Sequence, residues 1–176
     1  GYIYPDYYNN AGAQSVSTLA MMGAMILSAA LARPLASRFG KAEIAAASNL
    51  FAGLVSVVTF VIRPGSVWTF VFLQTLGWLG LGLFTMVSWA LITDVIDYSE
   101  LKNGIREDGS VYAMYSFARK LGQALASGLS GWLLPAISYN ENALSQGVAQ
   151  TEAVKNGIFA ISTLVPAIGF VLLAAV

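Results

Sequence analysis

The sequence predicts an all-α membrane protein of about five transmembrane helices plus the end of a sixth. Three observations carry this. The 176 residues are 57% hydrophobic and 10% charged, with mean hydropathy +0.67, whereas a soluble domain carries about 25% charged residues. Apolar runs recur along the chain, each near or above the ~20 residues a spanning helix needs. The runs also lack barrel-like alternation, and only helices and closed barrels satisfy their backbone in lipid.

The elements follow in order. The tyrosine-rich stretch Gly1 to Tyr8 reads as the end of a further helix at an interface. The first span is predicted at 14–32, closed by Arg33-Pro34, and the second at 44–62, closed by Arg63-Pro64-Gly65. The third is predicted at 67–93, where Asp94 ends it, the fourth at 111–137 and the fifth at 157–176. Pro135 and Pro166 fall inside spans and are expected to kink them. Gly77, Gly80 and Gly82 on the third span, and Gly122, Ala126, Ser127, Gly128 and Gly131 on the fourth, give small faces where membrane helices can approach.

Loop charges set the orientation. The loop from Arg33 to Glu43 holds Arg33, Arg38 and Lys41; the loop from Asp94 to Ser110 holds Lys102 and Arg106. The opposite loops hold only Arg63 and Lys155. The excess of cations places the first two loops in the cytoplasm. The chain starts at Gly1 and stops within an apolar run, which reads as a piece of a longer protein.

Composition excludes several chemistries. There is no cysteine and no histidine, so disulfides, thiolate chemistry and histidine-based metal sites or acid–base catalysis are ruled out. The formal net charge is +0, which gives no footing for a nucleic-acid partner. No nucleophile elbow or phosphate loop is present, so neither an enzyme nor ATP-driven transport is expected.

The fourth span carries the most telling residues. Arg119 and Lys120 fall about 13 Å in from its start at 1.5 Å per residue, near the middle of a hydrocarbon core about 30 Å thick. A charge there costs about 2.5–3.5 kcal/mol on insertion scales and normally faces a polar interior. Tyr112, Tyr115, Ser116 and Lys120 recur at helical spacing on one face. Rings that stack on sugar faces and donors that bind hydroxyls suit a glycoside. Arg119, next to Lys120, is expected to point about 100° away. On the third span, Thr85 and Trp89 add a hydroxyl and a ring. The alternative for the cations is a tie between helices through a carboxylate, and for the aromatics plain packing. Arg33, Asp94, Asp97 and Arg106 all fall at cytoplasmic span ends, where opposite charges can close a cavity or form exposed pairs.

The run from Thr93 to Leu125, TDVIDYSELKNGIREDGSVYAMYSFARKLGQAL, resembles the glycoside–pentoside–hexuronide:cation symporters, the melibiose-permease-like family of the major facilitator superfamily. Their tenth helix ends in a D-x-x-D-Y run, here Asp94, Asp97 and Tyr98; a charged loop follows, with Glu100, Lys102 and Arg106. The eleventh helix carries a lysine, here Lys120. The resemblance covers essentially the whole chain and makes it the carboxyl-terminal bundle: the end of helix seven plus helices eight to twelve. It implies a multi-pass protein of the bacterial inner membrane that moves a sugar or glycoside with Na⁺ or H⁺ by alternating access. It implies that Lys120 lines the sugar site and that the loop charges form a gate. It puts the coupling-ion site in the amino-terminal half, the chain's main partner besides membrane lipid. Where the melibiose permease has an aromatic residue near the sugar, this chain has Thr85, so the substrate is expected to differ. A lipid or lysolipid carrier of the same fold, or a non-transporting scaffold or receptor, are the competing readings.

Overall fold

The computed structural model describes residues 2–140 and 150–175. Among these residues it is helical, with short turns and no strand. A π-helical turn, Ile3–Tyr7, is followed by α1 (Gly12–Phe39), α2 (Lys41–Ile62), α3 (Val67–Asn103), α4 (Asp108–Ala136) and α5 (Glu152–Ala175).

The turns are short and each has a local cause. Gly40 alone joins α1 to α2; its φ of 98° and ψ of 151° reverse the chain in one residue, a conformation open to glycine. Arg63 ends α2 in the left-handed region at φ 45°, its amide donating to the Thr59 carbonyl at 3.1 Å. Ser66 caps α3 by accepting from the Trp68 amide at 3.3 Å. Gly104 ends α3 at φ 69°, with its amide on the Glu100 carbonyl at 2.8 Å.

Two helices run well past the predicted carboxyl ends of their spans. α1 continues through Pro34 to Phe39, so Pro34 does not close it. Proline forfeits one backbone donor, and near a helix end the orphaned carbonyl can be met by other partners. α3 likewise runs past Asp94 to Asn103, about 15 Å beyond the predicted end at 1.5 Å per residue. Nothing in DVIDYSELK breaks a helix, and the first stop signal is Asn103-Gly104. The predicted charged loop therefore shrinks to residues 104–107, and Asp94, Asp97 and Glu100 sit on a rigid helical extension.

Helix α3 packs against both α1 and α2, and α2 packs against α5 as well. Small residues allow these approaches. A Cβ on Gly80 would lie 2.7 Å from the Ser48 carbonyl oxygen, and one on Gly82 2.5 Å from Ser28 Oγ. Ser28 is fully buried and bridges helices by donating to the carbonyls of Ala24 (2.8 Å) and Leu79 (2.9 Å). An outer aromatic core gathers Tyr4, Phe70, Ile158 and Phe159, with Tyr7 stacked on Phe159 at 5.0 Å and the Tyr8 hydroxyl donating to the Pro64 carbonyl at 2.8 Å. The amino-terminal tyrosines thus anchor the turn to α3 and α5. A smaller inner core joins Ala32, Ala45, Leu83 and Val87.

Helices α1, α2, α3 and α5 are long and apolar enough to cross a membrane. Predicted as the fourth span, α4 matches in length, with 29 residues, but not in hydropathy. Arg119, Lys120, Gln123 and a run of glycine and serine dilute it. It also has no buried residue. It touches the bundle at its ends: Tyr112 and Tyr115 meet Trp89 of α3, and near the other end Ile137 packs beside Gly157 while the Tyr139 hydroxyl donates to Asp6 at 3.1 Å. Between the ends an apolar groove of about 370 Å³ separates α4 from α5, lined by Leu129, Leu133, Ile161 and Val165 among others. The small residues Gly122, Gly128 and Gly131 face open space.

Candidate functional site

The meeting of α3 and α4 brings four of the seven substrate-site residues into one cluster. Tyr115 approaches the Trp89 ring edge-on at 5.2 Å between centroids, and Tyr112 is tilted at 6.3 Å. The Arg119 guanidinium carbon stands 6.0 Å from the Trp89 ring centre, within the range of a cation–π contact. Trp89 and Tyr112 remain 40% and 39% exposed, so their faces are open.

The expected turn of about 100° between Arg119 and Lys120 leaves Arg119 beside the Trp89 ring. Arg119 lies four residues after Tyr115 and seven after Tyr112, so helical periodicity puts it on the tyrosine stripe itself. Lys120 follows one residue on, about 100° round the helix. Ser116 lies one turn before Lys120, and both are exposed. Thr85, one turn from Trp89, spends its hydroxyl proton on the Leu81 carbonyl at 2.8 Å and offers only its oxygen. Among the described residues, neither Arg119 nor Lys120 forms an ion pair.

At the cytoplasmic end, two ion-pair groups lie on α3. Lys41 Nζ donates to both carboxylate oxygens of Asp94 at 2.6 and 2.7 Å, linking the start of α2 to α3. Arg106 binds Glu100 (2.8 Å) and Asp97 (3.2 Å) through Nη1, and Asp108 (3.1 Å) through Nε. It therefore clamps the end of α3 to the start of α4. The Arg106 pKa is raised above the ordinary arginine value, chiefly by the hydrogen bond to Glu100 and then by that to Asp108.

Three of the four expected gate residues, Asp94, Asp97 and Arg106, join these groups; Arg33 does not. Arg33 is exposed, forms no ion pair among the described residues, and lines a cleft between α1 and α3. Lys41 takes the place expected for Arg33. The one-residue turn at Gly40 starts α2 with Lys41 beside α3, while Arg33 lies almost two turns back in α1. In the sequence Lys41 stands out as a cytoplasmic loop cation directly after a helix-breaking glycine, which does not tell it from Arg33 or Arg38 as a partner for Asp94. Side chains in both groups are 39–56% exposed, so solvent screens every pair and each is weak. Pairs this weak can be exchanged at little cost.

The comparisons with known proteins agree on what the chain is similar to. The family model described as MFS/sugar transport protein matches residues 1–176. The uncharacterized symporter YjmB of Bacillus subtilis is 31% identical over 172 residues, which is 97% of this chain and 36% of that protein. The inner membrane symporter YicJ of Escherichia coli is 33% identical, over 86% of this chain and 32% of that protein. A glucuronide carrier protein homolog of Escherichia coli is 38% identical over 98 residues, 56% of this chain and 20% of that protein. The chain thus spans about a third of the length of the first relatives it matches. No solved structure matches it. The resemblance carried by Asp94, Asp97, Tyr98 and Lys120 stands at the level of the family. With four apolar spans and a matching model over its whole length, the chain is a multi-pass membrane segment and belongs to the MFS/sugar transport protein family.

Proposed function

We propose that the chain is the carboxyl-terminal half of a secondary active transporter of the bacterial inner membrane, moving a sugar or glycoside in symport with Na⁺ or H⁺. The observation that carries this is the open cluster of rings around the Arg119 guanidinium at the α3–α4 contact, one to two turns inside the Asp94 ion pair. A sugar would stack on Trp89, Tyr112 or Tyr115 and take hydrogen bonds from Ser116, Lys120 and Arg119, with Thr85 as an acceptor. The rest of the site, and the carboxylates that hold the coupling ion, belong to the amino-terminal half. Substrate would bind between the halves and be exposed to each side in turn as they rock. Lys41–Asp94 and the Arg106 clamp would close the cytoplasmic side, exchanging partners as the halves move; Arg33 is free to take a carboxylate in another state. The relatives named as symporters support gradient-driven transport, and the one named as a glucuronide carrier homolog supports a sugar-type substrate.

The test is uptake by the full-length protein in proteoliposomes. Labelled α- and β-glycosides and pentosides are offered with and without imposed Na⁺ and H⁺ gradients, for wild type and Lys120→Ala. Gradient-driven uptake that is lost in Lys120→Ala is the expected result. The apolar groove between α4 and α5 favours a second reading, a lipid or lysolipid carrier. Lysolipid uptake with no sugar uptake would select it.

A further inference from the structure

We propose that the cleft between the cytoplasmic ends of α1 and α3 binds an anionic phospholipid of the phosphatidylglycerol type, its phosphate on Arg33 and an acyl chain along the cleft. This goes beyond the sugar-transport reading and stands independently of it.

The cleft has a local cause. α1 and α3 approach closely at Ser28 and Gly82, where Ser28 Oγ also donates to the Leu79 carbonyl at 2.9 Å. Toward the cytoplasm the lining side chains are small: Ala29, Ala32 and Ala36 on α1, and Ala90 on α3. A cleft of about 380 Å³ opens there. Its walls are largely apolar, and Arg33 and Lys41 also line it. Ala29 lies four residues before Arg33, about 6 Å deeper at 1.5 Å per residue. The loop charges put this end at the cytoplasmic face. A slot at acyl-chain depth therefore continues into a cation at headgroup depth, the form of a lipid site between membrane helices.

Charge decides the headgroup. Asp94 holds Lys41 through two hydrogen bonds, which matches that charge and leaves one Lys41 donor unspent. Arg33 makes no hydrogen bond or ion pair among the described residues. One uncompensated guanidinium thus stands at the mouth. A phosphate diester carries one negative charge and two free oxygens, and it satisfies two guanidinium donors in parallel. Among the residues lining the cleft there is no carboxylate to receive an ammonium group. A glycerol headgroup fits, whereas ethanolamine or choline would bring a further cation beside Arg33 and Lys41. Size decides against a helix as the occupant. One helical turn, about 10–12 Å across and 5.4 Å long, takes up on the order of 400–600 Å³, more than the whole cleft. An acyl chain is far narrower.

The experiment uses the full-length protein in phosphatidylcholine nanodiscs doped with a phosphatidylglycerol whose acyl chain carries a diazirine. A phosphatidylcholine with the same chain is the matched probe, and adducts are mapped by peptide mass spectrometry after illumination. The phosphatidylglycerol probe is expected to label residues 29–37 and 86–90 at least threefold more than the phosphatidylcholine probe does. Arg33→Gln should lower that labelling at least threefold, with labelling elsewhere on the protein unchanged, and Arg33→Lys should keep part of it. Ala29 is exposed, so Ala29→Phe fills the slot and leaves the charge; it should lower the labelling as well. Equal labelling by the two probes, or labelling unchanged in Arg33→Gln, overturns the phosphate contact and the site with it. No adduct in either segment, from protein that labels elsewhere, means that the amino-terminal half covers the cleft, which also overturns the proposal. Sugar uptake is not read in any arm, so failure here leaves the transport reading as it stands.

Discussion

Lys41 and Asp94 hold each other across α2 and α3 through two short hydrogen bonds, and that pair is the sharpest test of the cytoplasmic gate. Asp94→Asn should impair uptake severalfold while leaving membrane insertion intact; normal uptake would count against a gate. Lys41→Met should have an effect of similar size, and the exchange Lys41→Asp with Asp94→Lys should recover part of the loss. Arg33→Gln should do less than Lys41→Met in the state described here, because Arg33 holds no carboxylate in it. A double-mutant cycle on uptake separates these cases. The exposure of the pair bounds its coupling at about 1 kcal/mol, about fivefold in an equilibrium. At the substrate cluster, Trp89→Ala removes the ring against which Tyr115 and Arg119 rest. It is expected to raise KM for sugar at least tenfold, read from initial uptake rates.

Between elements, the decisive contacts are those with no room for a side chain. Gly80 lies against the Ser48 backbone and Gly82 against Ser28. Gly82→Ala and Gly80→Val should each cost about 1–3 kcal/mol as overpacking, seen as lower thermal stability of the full-length protein in detergent. Gly77→Ala and Gly128→Ala meet no neighbour within 4 Å and should leave that stability unchanged. Equal loss at all four sites would mean that generic glycine flexibility, not close approach, is at work. The glycines of α3 and α4 look alike in sequence, since both sets recur at helical spacing. They differ because α3 is surrounded by α1 and α2, while α4 is uncovered along its length.

For the whole molecule, α4 is the element that asks for a partner. It is long, diluted by charge and small residues, and fastened to this bundle near its ends. The chain matches about a third of each of its first relatives. Reconstituted by itself it is expected to show no sugar uptake above empty liposomes, and uptake should return when it is coexpressed with the amino-terminal portion. Uptake by the chain alone would refute a site shared between halves.

Sequence by itself determined the class, the number and order of the helices, and the family. Apolar runs of spanning length and the Asp94–Asp97–Tyr98 to Lys120 pattern are local in the chain, and periodicity and composition report local properties. It also singled out Trp89, Tyr112, Tyr115 and Arg106, although their contacts were not legible in it. Helix ends were less legible, because Pro34 and Asp94 are breakers only by tendency and the helices ran through both. Only the tertiary structure decided that Lys41 rather than Arg33 pairs with Asp94, and that Arg119 rather than Lys120 stands over Trp89. Both choices depend on the angle at which one helix meets another. That angle is set by contacts such as Ser28 on Gly82 and Ser48 on Gly80, between residues more than 30 positions apart.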